Sequence, residues 1–254
     1  MNFEKHIKEF ESDTLYYGDK NFITSSQLGK LAHSPAKLEH YRKYGQEDTN
    51  ALLFGRAFHQ NILEPEKYKK NVISYDGTRR GKVWDEFKSS NSDKTIITKG
   101  EERALIKMRE KLLSTPRVLN LLSSGSPEVV NCWADDGTNI YCKGKADYIK
   151  NEHGRKIIVD IKTTQDHSER AFRNSCMKYG YDRQSAFYLD GFDADEFWFI
   201  VIEKTDPFDI GVYMCGDEFL KYGREKYQNL LDLYNYYFIK QEKEINEYYV
   251  ESIL

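Results

Sequence analysis

The alternation of apolar and polar residues predicts a chain of helices followed by a mixed α/β core. Apolar residues at helical spacing predict helices within 24–45, 49–63, 99–122, 168–192 and 217–245. Apolar runs with strand-like composition predict five strands, at 128–134, 141–149, 156–163, 197–204 and 209–215. This order favours a central mixed β-sheet flanked by helices.

Local signals place several of the predicted boundaries. Thr24-Ser25-Ser26 forms a suitable N-cap, Ser34-Pro35 begins a second short helix, and Pro65 ends the third. The segment 76–94 is polar and is predicted to be a mobile basic loop. The turn between the second and third strands is predicted at 151–154.

The chain contains no internal repeat and no low-complexity linker, and its five prolines do not cluster. We therefore predict one domain over residues 1–254. It divides into a mainly helical N-terminal part (1–75), a sheet core (125–215) and a C-terminal helix (217–245).

Composition narrows the function classes. Apolar residues make up 39% and charged residues 31%, which is typical of a water-soluble globular domain. The net charge of −3 argues against a protein that coats DNA by charge alone. Any contact with nucleic acid must therefore use a local basic patch or a metal ion.

The four cysteines form no C-x-x-C motif, so a zinc or iron–sulfur site is not predicted. Reduced thiols, a charged N-terminus without a signal-peptide core and the lack of a membrane-length apolar run predict a cytoplasmic protein.

The most informative segment is the predicted strand that carries Asp160 and Lys162, two positions apart. Side chains two apart on a strand leave the same face of the sheet, so this carboxylate and ammonium lie side by side. Taken alone, such a pair is most often an ordinary salt bridge.

Asp147 changes this interpretation, because a hairpin brings it beside Asp160. Neighbouring carboxylates repel each other unless a cation lies between them, and their oxygens suit Mg²⁺ or Mn²⁺. Such an ion can acidify a bound water and neutralise charge on a scissile phosphate. Lys162 would stabilise the resulting hydroxide or the phosphorane. The sequence predicts a Mg²⁺ site, at which Mn²⁺ is expected to substitute.

This arrangement resembles the PD-(D/E)XK nuclease superfamily. Asp147 and Asp160 match its two carboxylates and Lys162 its lysine, while Ala146 stands where a proline is usual. The resemblance implies an α/β restriction-endonuclease-like core, with a central mixed β-sheet flanked by helices and an N-terminal helical segment. It also implies that the backbone carbonyl of Ile161 is a metal ligand.

Two further motifs are similar to the RecB-like branch of that superfamily. His59 matches the histidine of its G-x-x-x-H helix, which is a metal ligand. Gln184 and Tyr188 match its Q-x-x-x-Y helix, which helps to hold DNA and the active site. Taken alone, a histidine on an apolar helix is more often structural, and the Gln–Tyr pair could be a surface residue beside a core tyrosine.

Residues from about 20 to 235 resemble the RecE-type nuclease domain, exodeoxyribonuclease VIII. The likeness is carried by 23–28, 34–37, 51–59 and 63–66. It implies a phage-type, processive exonuclease that degrades linear double-stranded DNA from 5′ to 3′ and leaves 3′ overhangs for recombination by strand annealing. It also implies a ring-like homo-oligomer, for example a tetramer, and a RecT-type annealing partner.

Four more residues are candidate contacts of the substrate or the metal. Arg79 and Arg80 form the best local basic patch and could pair with phosphates, although a solvated loop is an equal alternative. Thr163 either hydrogen-bonds a phosphate or simply ends its strand. Glu128 is either an additional metal or water ligand or a strand-edge carboxylate.

Two other functions are compatible with the sequence. A RecB-like nuclease could act on single-stranded DNA, but such adaptation nucleases usually carry four iron–sulfur cysteines, whose spacing this chain lacks. A catalytically inactive module could bind DNA ends, but the intact Asp147, Asp160 and Lys162 speak against that.

Overall fold

The computed structural model describes residues 2–251. Twelve α-helices and seven strands occur among these residues, and they are α1 Phe3–Glu9, α2 Asp13–Gly18, α3 Ser25–Leu31, α4 Pro35–Tyr44, α5 Asn50–Leu63, α6 Pro65–Asn71, β1 Val72–Tyr75, α7 Lys82–Ser90, β2 Thr95–Thr98, α8 Lys99–Ser114, α9 Pro116–Leu121, β3 Gly125–Ala134, β4 Tyr141–Glu152, β5 Arg155–Thr164, α10 Glu169–Tyr179, α11 Tyr181–Gly191, β6 Glu196–Glu203, β7 Ile210–Met214 and α12 Asp217–Tyr234.

Five strands form a mixed sheet in the order β3-β4-β5-β6-β7. The β5–β6 pair is parallel, and the other neighbours are antiparallel. The parallel pair is joined by α10 and α11, since a parallel connection needs a long crossover. The predicted mixed α/β sheet flanked by helices is therefore confirmed.

Local capping explains why the predicted N-terminal helix boundaries were accurate. Thr24, Ser34 and Thr49 precede α3, α4 and α5, and each hydroxyl accepts a hydrogen bond from the backbone N–H three residues later. Pro65 follows α5 and also opens α6, where its missing N–H costs nothing at the first helical position.

Four predictions about helices need correction. The predicted loop 76–94 contains α7, in which Trp84 and Phe87 pack on Tyr75. The helix predicted over 99–122 is interrupted before Pro116, and that over 168–192 is interrupted at Gly180, whose φ of +67° is left-handed. The predicted helix 217–245 is α-helical only to Tyr234, and a π-helical turn then continues to Ile239.

Helices cover both faces of the sheet. On one face, α3, α4 and α10–α12 bury a core that includes Ile158, Phe187 and Phe199. On the other face, α5, α8 and α9 bury Phe58, Leu105 and Val159. Both faces of β5 and β6 are covered, which agrees with the apolar runs 157–159 and 197–202 at their centres.

β4 and β5 pair only near their hairpin and then separate. Their ladder ends at Tyr148–Val159, although β5 continues to Thr164 beside β6. The freed edge of β4 is taken instead by Ile23, which pairs with Cys142. The divergence leaves a gap between two central strands, and side chains from both helical layers can meet there.

The N-terminal helices α1 and α2 are attached to β4 by a buried lysine. Lys143 is 1% exposed, and its ammonium donates to the carbonyl of Tyr16 at 2.5 Å. It also lies 4.3 Å from the ring centre of Phe10 and 3.4 Å from Asp19 Oδ1. These contacts compensate for burial of the charge.

Between residues 2 and 251, no helix has the length and apolar character needed to span a membrane.

Candidate metal centre

Asp160 and Lys162 leave β5 on the same face, as predicted. Asp160 is buried, and its Oδ1 lies 2.6 Å from the ammonium of Lys162. Among residues 2–251, no donor other than this ammonium reaches the enclosed Oδ1. The other oxygen, Oδ2, accepts a hydrogen bond of 3.0 Å from Gln184 on α11.

Asp147 lies on β4 at the first position beyond the β4–β5 ladder. Its Oδ2 accepts a hydrogen bond of 2.8 Å from the backbone N–H of Ile161 on β5. A carboxylate thus replaces the strand carbonyl that the divergence removed, which satisfies a buried donor. In an extended strand, the N–H and C=O of one residue face the same edge, so the Ile161 carbonyl also faces Asp147.

His59 reaches the gap from α5, on the opposite side from Gln184. Its Nδ1 lies 3.3 Å from Asp147 Oδ2. Phe54, Ala57 and Phe58 bury the apolar face of α5 and so fix where His59 lies. The divergence of the strands therefore lets one helix from each layer approach the same pair of aspartates.

Glu128 joins this group from β3. The register pairs Pro127 with Tyr148 and Val129 with Ala146, so Glu128 lies beside Asp147. Its φ of +52° is unusual for a residue with a side chain and breaks the normal alternation of the strand. Such a local distortion in a strand is often associated with a functional site. Ligand atoms of His59, Glu128 and Asp147 all lie within 4.8 Å of one another.

These donors fit a divalent cation. Two carboxylates and one imidazole converge within a few ångströms, and oxygen ligands with a histidine suit Mg²⁺ or Mn²⁺. The Asp160 carboxylate lies nearby, and its enclosed Oδ1 faces the Lys162 ammonium. The structure thus divides the predicted residues into two adjoining groups, His59–Glu128–Asp147 and Asp160–Lys162–Gln184.

The electrostatics of the two groups are coupled. Burial would lower the pKa of Lys162, but Asp160 and Asp147 outweigh this and raise it. Burial raises the pKa of Asp160 against the opposing charge of Lys162. Burial would also raise the pKa of Asp147, but His59 and Lys162 hold it below its usual range.

The pKa values of His59 and Glu128 are both raised. Although burial opposes it, the charge of Asp147 raises the pKa of His59 to about 9. Burial, followed by the charge of Asp147, raises the pKa of Glu128 to about 7. A metal ion that binds these residues must displace such protons, so metal affinity is coupled to pH.

The family described as a PDDEXK-like domain of unknown function (DUF3799) matches residues 24–247. The chain belongs to this family. The match covers every strand of the main sheet and all the residues of the two groups. No curated protein sequence matches the chain.

This DUF3799 domain is similar to proteins of known structure. A candidate exonuclease from Eubacterium rectale superposes with a TM-score of 0.60 at 16% identity, covering 85% of this chain and 80% of that one. A phage-related exonuclease from Haemophilus somnus is 14% identical with a TM-score of 0.39, over 87% of this chain and 96% of that one. The similarity to the Eubacterium rectale protein supports the mixed α/β fold.

Gln184 and Tyr188 lie one turn apart on α11, as predicted. Gln184 holds Asp160, while the ring of Tyr188 packs 5.8 Å from that of Phe192. Burial, followed by the carboxylates of Asp160 and Asp147, raises the pKa of Tyr188 far above its ordinary value. The Tyr188 hydroxyl therefore remains protonated beside the aspartates. Its predicted contact with DNA stays a prediction.

The three other residues predicted to contact DNA differ in exposure and in their partners. Arg79 donates to the Ile96 carbonyl at 3.0 Å and lies 3.4 Å from Glu101, so the end of its guanidinium is engaged within the domain. Arg80 is exposed and makes no ion pair among the described residues. Thr163 lies on β5 beside Lys162, half-buried and paired with β6. DNA binding by these three residues is still a prediction.

Sequence reasoning missed Tyr17, which lies at the edge of the centre. Its ring centre is 5.7 Å from the ammonium of Lys145, and 73% of the residue is exposed. Tyr17 precedes the matched family region, so no motif could have indicated it.

We expect the metal-free DUF3799 domain to lose stability as pH rises. The pKa of His59 rises from 6.5 to about 9 on folding. The contribution of His59 to the free energy of unfolding is therefore fully present below pH 6.5 and is lost as the pH rises to about 9. The pKa of Glu128 rises from 4.5 to about 7, so stability also falls between those values. Urea unfolding in chelator at successive pH values measures the slope.

His59→Gln supplies the comparison for this slope. It should flatten the decline between pH 6.5 and 9, because glutamine does not titrate. His153→Gln, on the exposed β4–β5 turn away from the metal centre, is the matched histidine-to-glutamine control. An identical slope in His59→Gln and the parent protein would contradict the expectation.

Proposed function

We propose that this chain is a metal-dependent exodeoxyribonuclease that hydrolyses phosphodiester bonds of DNA. The observation that carries the proposal is the meeting of Asp147, Asp160 and Lys162 where β4 and β5 separate, with His59 and Glu128 beside them. Membership of a PDDEXK-like family supports the same chemistry.

His59, Glu128, Asp147 and Asp160, together with the Ile161 carbonyl, would hold Mg²⁺ or Mn²⁺. The bound ion supplies an acidified water and neutralises phosphate charge. The Ile161 N–H and His59 orient Asp147, and Gln184 orients Asp160. Lys162 is cationic and 19% exposed, so it can stabilise charge that develops on an incoming phosphate.

From the resemblance to the RecE-type domain, we further propose that the enzyme attacks the ends of linear double-stranded DNA from 5′ to 3′ and leaves 3′ overhangs for recombination. We also propose that the chain is a single nuclease domain that assembles into a ring-like homo-oligomer, for example a tetramer. A RecT-type annealing partner and action in the cytoplasm of a bacterial or phage-infected cell belong to the same proposal.

The test is digestion of three substrates: linear duplex, closed circular duplex and linear single strands. Each linear substrate is labelled at its 5′ or 3′ end and incubated with Mg²⁺, with Mn²⁺ or with chelator. We expect loss of the linear duplex alone, dependent on metal and starting at the 5′ end. Lys162→Met serves as the inactive control, because it removes the cation that faces the phosphate.

Other outcomes have definite meanings. Cleavage of the closed circle would indicate an endonuclease on the same fold. Preferential loss of single strands would favour the single-strand nuclease, and absence of cleavage with either metal would favour a DNA-end-binding module.

A further inference from the structure

Arg183 is a buried arginine without a partner. It is 9% exposed and lies on the first turn of α11. No carboxylate among residues 2–251 lies within ion-pair distance of its guanidinium, and no acceptor in that range is in hydrogen-bond geometry with its side chain. Its Nε is fully enclosed, so the remaining exposure belongs largely to the outer part of the side chain.

The nearest carboxylate is already occupied. Asp182 is 2% exposed, and its Oδ1 accepts the backbone N–H of Arg183 at 2.8 Å. Its Oδ2 forms an ion pair with Lys226 on α12. One carboxylate therefore faces two cations, which leaves a local surplus of positive charge. An unpaired buried cation costs folding free energy, so its retention calls for another explanation.

Two glycines make room for the guanidinium. A Cβ on Gly180 would lie 2.7 Å from Arg183 Nη1, and a Cβ on Gly29 of α3 would lie 2.9 Å from Nη2. Gly180 is the N-cap of α11 and provides no side-chain cap. The Arg183 N–H is taken by Asp182, so the N–H groups of Tyr181 and Asp182 are the first-turn donors that face the same region. The guanidinium and this 11-residue helix's positive end thus converge.

We propose that Arg183 and the N-terminal turn of α11 form a phosphate-binding site. A guanidinium binds phosphate oxygens through two parallel hydrogen bonds, and helix N-terminal N–H groups add to them. Burial lowers the pKa of Arg183. A bound dianion or phosphodiester would offset that burial.

The position of the site connects it with the metal centre. Gln184, the next residue, holds Asp160, and the ring of Tyr181 lies 5.0 Å from the Lys162 ammonium. One turn of α11 thus contacts both the catalytic pair and the proposed site. Resting on the proposed function, we assign the ligand as a DNA phosphate next to the one that is hydrolysed; free inorganic phosphate offers the same chemistry.

The test measures binding in chelator, where no metal-dependent cleavage occurs. Thermal unfolding is followed with inorganic phosphate against chloride of equal ionic strength, for the parent protein and Arg183→Met. The control is Arg173→Met, which removes an exposed arginine paired with Glu169 on α10. We expect phosphate to raise the Tm of the parent and the control but not of Arg183→Met. Without phosphate, Arg183→Met should unfold at the same or a higher temperature, because it lacks the unpaired charge.

Gly29→Ala is a second variant that keeps the arginine. Its new methyl group would displace the end of the guanidinium, while alanine favours the helix that contains it. It should also weaken the phosphate response. An undiminished response in both variants, or a Tm several degrees lower in Arg183→Met, would overturn the site and make Arg183 structural.

Affinity for a duplex oligonucleotide, measured in chelator over a range of salt, distinguishes the two sources of phosphate. We expect Arg183→Met to weaken binding about tenfold and to reduce the slope of log K against log salt by about one. Unchanged DNA affinity with a lost phosphate response would overturn the DNA assignment and leave a site for free phosphate. If the parent protein fails to cleave DNA with Mg²⁺ while these binding differences persist, the nuclease proposal fails and the phosphate site stands.

Discussion

Replacing Asp160 with Asn is expected to lower metal-dependent DNA cleavage by at least about a thousandfold while the chain stays folded. The amide retains the shape of the carboxylate and can still accept the hydrogen bond from Gln184. It lacks the charge that a divalent cation and Lys162 both require. Burial already disfavours the charged form of Asp160, and the Asp147 carboxylate still faces Lys162 in the variant. We therefore expect the free energy of unfolding to change by only about 1 kcal/mol.

A matched control for this change is Asp135→Asn, at a buried carboxylate bonded to Thr138 and Gln228 outside the two site groups. It should lower the midpoint of urea unfolding and leave turnover nearly unchanged. Release of labelled nucleotide, measured with saturating Mg²⁺, gives the two rates. Near-parental turnover in Asp160→Asn would remove Asp160 from the catalytic centre and undermine the nuclease assignment.

Replacing Lys162 with Met is expected to destabilise the metal-free chain by about 3 kcal/mol, besides abolishing cleavage. The change leaves the Asp160 carboxylate buried, with its Oδ1 facing no cation. The double variant Asp160→Asn/Lys162→Met should recover most of this loss, since neither charge then remains. Urea unfolding of the two single variants and the double variant gives the coupling energy.

The same unfolding measurements are repeated with Mg²⁺. A bound cation can replace the ammonium as the partner of Asp160, so the loss of stability in Lys162→Met should shrink when Mg²⁺ saturates the protein. Addition of chelator should restore the full loss of stability in Lys162→Met. Strictly additive effects of the two single changes, with and without metal, would show that Asp160 and Lys162 are not coupled.

The sequence predicted the elements accurately where local chemistry dominates. The hydroxyl caps at Thr24, Ser34 and Thr49 act within three residues, so the starts of α3, α4 and α5 followed directly. The prediction of a loop over 76–94 was wrong for the opposite reason. Its helix α7 is supported by the packing of Trp84 on Tyr75, which belongs to a different element.

The candidate site shows the same division. Alternation placed Asp160 and Lys162 on one face, and the hairpin placed Asp147 beside them. The role of Glu128 could not be decided, because a left-handed φ within a strand leaves no signal in the residue pattern. The basic loop suggested two equivalent arginines, but the tertiary fold engages Arg79 with Ile96 and Glu101 and leaves Arg80 exposed.

By itself, the sequence determined the mixed α/β order, the pair on β5 and the family resemblance, because these depend on periodicity and short spacings. Only the tertiary structure decided how the site is assembled. The separation of β4 from β5 opens the gap in which His59 from one helical layer and Gln184 from the other meet the two aspartates. On the freed edge of β4, Ile23 pairs with Cys142, a contact between segments more than a hundred residues apart, which no local pattern specifies.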